Sequence, residues 1–131
     1  MAENNSAGRP VRVLCAGVFD RFRECHADAL RQAKTYFPNV YLIVGVKCDQ
    51  DTHRIKGETI FSEVDRCEVL RHCRYVEEVC ICPFNFDMDF VKNMKIDFVA
   101  RGAFPPQTNG KTDIYENLRE AGMLIETKRS I

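Results

Sequence analysis

The sequence predicts one α/β domain, built on a five-stranded, mainly parallel sheet with helices on both faces. Three observations carry this. Short apolar, β-rich runs alternate with segments of helical spacing from end to end. A glycine, Gly17, sits where the first such run turns into the first helix. A length of 131 residues with 45% hydrophobic content fits a single buried core. Residues 1–10, polar and small, read as a flexible tail, and residues 11–131 as the domain.

The first strand is Val11–Ala16. After it, Ala27, Leu30, Ala33 with Lys34, and Phe37 step at helical spacing from an opening near His26, and Pro38-Asn39 stops the helix. Val40–Val46 is the second strand, and Thr52–Gly57 belongs to the loop that follows it. Ser62 is placed to N-cap the next helix, with Asp65 completing a weak capping box. Val64, Cys67, Leu70 and Cys73 give that helix one buried stripe. Val76–Ile81 is the third strand; Phe86, Phe90, Val91 and Met94 mark a third helix; Ile96–Ala100 is the fourth strand. A fourth helix over Asp113–Ala121 stops at Gly122, and Met123–Glu126 closes the sheet. Strand, helix, strand at these lengths implies right-handed crossovers and a parallel sheet. Ligands of such sheets sit beyond the carboxyl ends of the strands, where Gly17–His26 and the loops after Val46 and Ala100 fall.

Composition narrows the function. Lys plus Arg and Asp plus Glu are 19 each, so net charge offers no attraction to nucleic acid or a membrane surface. No apolar run approaches bilayer length, and Met1–Gly8 is unlike a secretory signal, which predicts a cytoplasmic protein. The 7 cysteines lack metal-site spacing, Cys80 and Cys82 being one residue apart, and read mostly as reduced thiols packed as small hydrophobes. Cys25, near the turn, is the exception. The glycine patterns of dinucleotide dehydrogenases and P-loop enzymes are absent.

The stretch Cys15-Ala-Gly-Val-Phe-Asp-Arg-Phe-Arg-Glu-Cys-His26 carries most information. A glycine turn lets a ligand approach the backbone, and N–H groups at a helix start attract phosphate. The stretch resembles the Gly-x-Phe-Asp-x-x-His-x-Gly-His signature of the cytidylyltransferases, in particular the choline-phosphate branch. Tyr41–Val46, Thr52-His53-Arg54-Ile55-Lys56-Gly57, Arg71–Val79 and Ile96–Ala100 extend the resemblance from Val11 to Arg129. It implies a Rossmann-like three-layer sandwich and transfer of CMP from CTP to phosphocholine, giving CDP-choline and pyrophosphate for phosphatidylcholine synthesis. It also implies Mg2+ carried with the CTP, held mainly by substrate oxygens. The implied nucleotide-binding residues are Gly17, Val18, Phe19, Asp20, His26, Lys56, Arg66 and Arg129, with His26 and Lys56 catalytic. Tyr115 and Phe84 are implied at the acceptor pocket, and Arg74-Tyr75-Val76 at a dimer contact.

Each position also has a plain reading. His26 is an ordinary helix-start histidine, Lys56 a loop lysine, and Arg66 a solvated residue paired with Glu63 or Glu68. Arg71, His72 and Arg74 are then a solvated face.

The chain departs from the family pattern at the site. Arg23 stands for its first histidine and Cys25 for its glycine, where a left-handed backbone would strain a side chain by about 1–2 kcal/mol. Arg101, Gly102, Pro105 and Pro106 stand where the family has His-Asp-x-x-Pro-Tyr, and Phe84 replaces a tryptophan. Of the family's Arg-Thr-x-Gly-Ile-Ser-Thr segment only Arg129 and Ser130 are matched, as in a C-terminally truncated member, with no room for a membrane-binding helix. An exchanged carboxylate and aromatic face weaken attraction for a quaternary ammonium. The expectation is a cytidylyltransferase-like domain with weak or no phosphocholine turnover. Two alternatives are a non-catalytic partner, in a homodimer or a heterodimer with an intact relative, and a nucleotidyltransferase for a non-cationic acceptor.

Overall fold

The computed structural model describes residues 9–20, 22–55, 57–83, 86–101 and 114–127. Five strands form one sheet: β1 (Val11–Gly17), β2 (Val40–Lys47), β3 (Glu78–Cys82), β4 (Phe98–Arg101) and β5 (Leu124–Glu126). Their order is β3-β2-β1-β4-β5 and every pairing is parallel, so the expected mainly parallel sheet is wholly so across these strands. The register sets Gly17 against Val46, and Cys15 against both Val44 and Ala100.

The helices are α1 (Glu24–Thr35), α2 (Asp49–Ile55), α3 (Glu63–Arg71), α4 (Met88–Asn93) and α5 (Ile114–Glu120). Strand pleating sorts the apolar residues into two cores. On one face Val13, Cys15, Leu42 and Val44 pack with Leu30 and Ala33 of α1 and Cys67 and Leu70 of α3. On the other, Leu14, Ile43 and Val99 pack with Val91 of α4 and Leu118 of α5. This is the three-layer sandwich, with the central strands buried on both faces and therefore continuous apolar runs in sequence.

Several elements differ from their expected limits. α1 opens at Glu24 rather than near His26, because Arg23 is its N-cap. α2 is a helix in what reads as a loop; its seven residues are almost wholly polar and carry no apolar periodicity. In α3, Ser62 Oγ does accept from the Asp65 N–H at 3.2 Å, but Val64 is 67% exposed and the buried stripe is Arg66, Cys67 and Leu70. α4 is capped by Asp87, whose carboxylate accepts from the Phe90 N–H at 3.0 Å, so Phe86 precedes the helix and Met94 ends it. β3, β4 and β5 each start one or two residues later than the apolar runs suggest. Gly122 does stop α5, at φ +72°. Of the predicted tail, Arg9 pairs with Asp97 at 3.0 Å, and residues 1–8 lie outside the described residues. Among the described residues no helix is long and apolar enough to cross a membrane.

Candidate functional site

The strand order reverses at β1: β2 and β3 lie on one side, β4 and β5 on the other. In open α/β sheets the crevice for ligands opens at such a switch, outside the carboxyl ends of the strands. Gly17 ends β1 and Arg101 ends β4, so both edges of that crevice are defined.

The β1–α1 turn begins with a close approach. A Cβ at Gly17 would lie 3.0 Å from the Phe19 ring. Phe19 itself takes φ +51°, a left-handed backbone rarely used by a bulky residue, and its ring meets the His26 ring edge-on at 5.4 Å. His26 is the third residue of α1, and its Nδ1 accepts from the Arg23 N–H at 3.0 Å. A neutral ring that accepts at Nδ1 carries its proton on Nε2, so the turn fixes the tautomer. Arg23 offers no acceptor in return, and its side chain makes no cap bond. Cys25 lies in the first turn of α1 and is not among the residues with positive φ, so the strain expected there does not arise; the left-handed residue is Phe19.

Three carboxylates and one guanidinium lock the neighbouring loops. Asp20 accepts from the Ile60 N–H at 2.8 Å and the Phe61 N–H at 2.9 Å, drawing the segment before α3 onto the turn. Arg66 is 1% exposed. Its guanidinium donates to the carbonyls of Val18 at 2.7 Å, Lys47 at 3.0 Å and Phe61 at 3.2 Å, and pairs with Asp49. The solvated pairing with Glu63 or Glu68 is therefore overturned, because Arg66 points inward and Glu63 is engaged elsewhere. Asp49 and Glu63 cap each other's helices: the Asp49 N–H donates to Glu63 at 2.7 Å and the Glu63 N–H to Asp49 at 3.0 Å. Burial pushes the Asp49 carboxyl up, but the Glu63 N–H and the Arg66 guanidinium outweigh it and hold it below the usual carboxylate value.

On the opposite face of the sheet, at the same edge, two cations stand over aromatic rings. The Arg101 guanidinium lies 4.9 Å from the centre of the Tyr115 ring, and the Lys47 ammonium 4.9 Å from that of Phe86. Phe86 and Tyr115 meet at 6.4 Å, near perpendicular, in one layer. Burial lowers the Lys47 pKa from the usual lysine value. Lys47 joins the candidate residues, and the one sign of it in the sequence is a lysine closing the run Val40–Val46.

Gly17, Val18, Phe19, Asp20, His26 and Arg66 thus come together at one end of the sheet, with Tyr115 and Arg101 around the edge of β4. Lys56, Phe84, Gly102, Pro105, Pro106, Arg129 and Ser130 lie outside the described residues. Arg74 is exposed, 6.0 Å from the Tyr75 ring, and Arg71 pairs with Glu68 at 3.1 Å. All seven cysteines are free thiols, with Cys15, Cys67 and Cys82 buried.

The chain is 46% identical over 123 residues to choline-phosphate cytidylyltransferase A of Rattus norvegicus, covering 93% of this chain and 34% of the relative. It is 47% identical over 124 residues to a probable choline-phosphate cytidylyltransferase of Schizosaccharomyces pombe, covering 94% of this chain and 34% of the relative. The chain therefore spans about a third of the length of these relatives. A solved lipopolysaccharide core biosynthesis protein from Thermoplasma volcanium shares the fold, with a TM-score of 0.73 at 21% identity over 92% of this chain and 98% of that one. A cytidylyltransferase-like family model matches residues 14–130, and the chain belongs to that family.

Proposed function

We propose that this chain is a nucleotide-binding domain of the choline-phosphate cytidylyltransferase lineage that holds CTP at the β1–α1 turn and turns over phosphocholine weakly or not at all. In the lineage reaction a phosphocholine oxygen attacks the α-phosphorus of CTP. The bond from that phosphorus to the bridging oxygen breaks, and pyrophosphate leaves as CDP-choline forms. No covalent enzyme intermediate is needed, so the protein contributes in-line positioning and charge stabilisation.

His26 brings the Nε2 proton to the start of α1, where backbone N–H groups already favour phosphate. Gly17, Val18 and Phe19 shape the main-chain cradle. Asp20 and Arg66 are positioning residues, holding the cradle against the segment before α3. Lys56 and Arg129 complete the phosphate contacts in this reading. In this reading a Mg2+ arrives with the CTP and is held chiefly by triphosphate oxygens.

The observation that carries the weak turnover is the Arg101 guanidinium on Tyr115. A quaternary ammonium is attracted to an aromatic face, and this one already bears a permanent cation. Titration calorimetry with CTP tests the nucleotide half. His26→Gln keeps an acceptor for the Arg23 N–H, as glutamine does in a capping box, but removes the ring donor. It should fold as the wild type and bind CTP at least tenfold more weakly, a change of about 1.4 kcal/mol. Unchanged affinity would move the nucleotide away from α1.

A further inference from the structure

Residues 47 and 101 point to the same side of the sheet. Lys47 shares the parity of Ile43 along β2, and Arg101 that of Val99 along β4; Ile43 and Val99 both belong to the core beneath α4 and α5. Between these two strands lies only β1, so their backbones are about two strand spacings, or about 10 Å, apart across the sheet, with Lys47 two residues beyond Gly45, the β2 residue level with Arg101. β1 contributes Ala16, and its register partner on β2 is Gly45, over which the buried Cys82 side chain packs, a Cβ there lying 3.0 Å from Cys82 Sγ.

Arg101 is fixed in place rather than loosely exposed. Its carbonyl accepts from both the N–H and the hydroxyl of Thr127, at 3.0 and 3.1 Å, and its guanidinium rests on Tyr115. Among the described residues no carboxylate lies within ion-pair distance of that guanidinium. Glu126, its register partner on β5, is engaged by Arg119. Burial disfavours the charged form of Lys47, while the neighbouring Cys82, Asp51 and Cys48 favour it. The adjoining Phe86 and Tyr115 rings each carry a cation, so an incoming ammonium meets repulsion where an anion meets attraction.

We propose that the sheet end flanked by Lys47 and Arg101, on the side of the Phe86 and Tyr115 rings, takes an anionic acceptor, an organic phosphate bearing a second negative charge, in place of a quaternary ammonium. This rests on the cytidylyltransferase reading for its role as acceptor, but the binding preference is measured independently. The anionic group recognised by Arg101 is the acceptor's or the triphosphate's, and the arms of the experiment separate the two.

Calorimetry on the full chain, with and without saturating CTP, would compare 3-phosphoglycerate with phosphocholine. The wild type should bind 3-phosphoglycerate at least tenfold more tightly than phosphocholine. Arg101→Ala should cut that preference below threefold while leaving CTP affinity within threefold, and Arg101→Lys should retain most of it. Phosphocholine binding as tightly as 3-phosphoglycerate, or no binding of either, would overturn the proposal. So would a preference that survives Arg101→Ala, or an Arg101→Ala variant that loses CTP instead. Preference for 3-phosphoglycerate without any CTP binding would support the anion site and overturn the nucleotide reading.

Discussion

The guanidinium of Arg66 is surrounded by acceptors from four separate segments: the β1–α1 turn, the end of β2, the start of α2 and the residues before α3. Buried carbonyls of loops need donors, and one rigid fork supplies them here. Arg66→Met should therefore destabilise the protein by about 3 kcal/mol in urea unfolding, and Arg66→Lys should recover less than half of that, because an ammonium cannot span the same acceptors. Equal stability of the methionine variant would show that these loops hold themselves. The sequence could not reveal this role. Arg66 follows Ser62 by one helical turn and precedes Leu70 by another, which puts it on the buried stripe, but a polar residue there reads as solvated unless its acceptors are known. His26 and Gly17 were legible because a glycine turn and a helix start announce themselves locally. Lys47 was hidden because its partner ring, Phe86, is 39 residues away in sequence and meets it only through folding.

At the scale of elements, α2 and α3 are joined start to start by the exchange of carboxylates between Asp49 and Glu63. Each satisfies an N–H that the other helix leaves unpaired, and each places negative charge at that helix's N-terminus. Asp49 is held below the ordinary carboxylate value, so its folded form binds its proton less readily than the unfolded chain. Its stabilisation is complete above about pH 4, the unfolded range, and is lost as pH falls through the lower folded value. Asp49→Asn keeps an acceptor for the Glu63 N–H but removes the charge. Urea midpoints measured from pH 7 to pH 2 should be lower for Asp49→Asn at neutral pH and converge with the wild type at the acid end. Parallel curves would mean that the charge contributes nothing. The same contact explains why α2 escaped the sequence reading: a short polar segment is helical here because a distant carboxylate caps it. The strands were far more legible, since β1 and β2 are buried on both faces and announce themselves as unbroken apolar runs. Only their limits shifted, because hydrogen-bonded pairing rather than hydrophobicity decides where a strand starts.

Across the whole molecule, the sheet order β3-β2-β1-β4-β5 sets the glycine turn after β1 beside the end of β4. The chain keeps the family relationship, while the Phe86 and Tyr115 rings carry its own cations. In the proposed function that division separates nucleotide binding from turnover. Removing one well-placed transition-state contact typically costs two to three orders of magnitude in rate. The most direct test is CDP-choline formation from CTP and phosphocholine, measured under identical conditions for this chain and for the Rattus norvegicus relative, with CTP binding to this chain confirmed in the same buffer. The account predicts bound CTP and a rate at least a hundredfold below that of the relative; a rate within tenfold would contradict it, showing that Arg101 does not obstruct the acceptor.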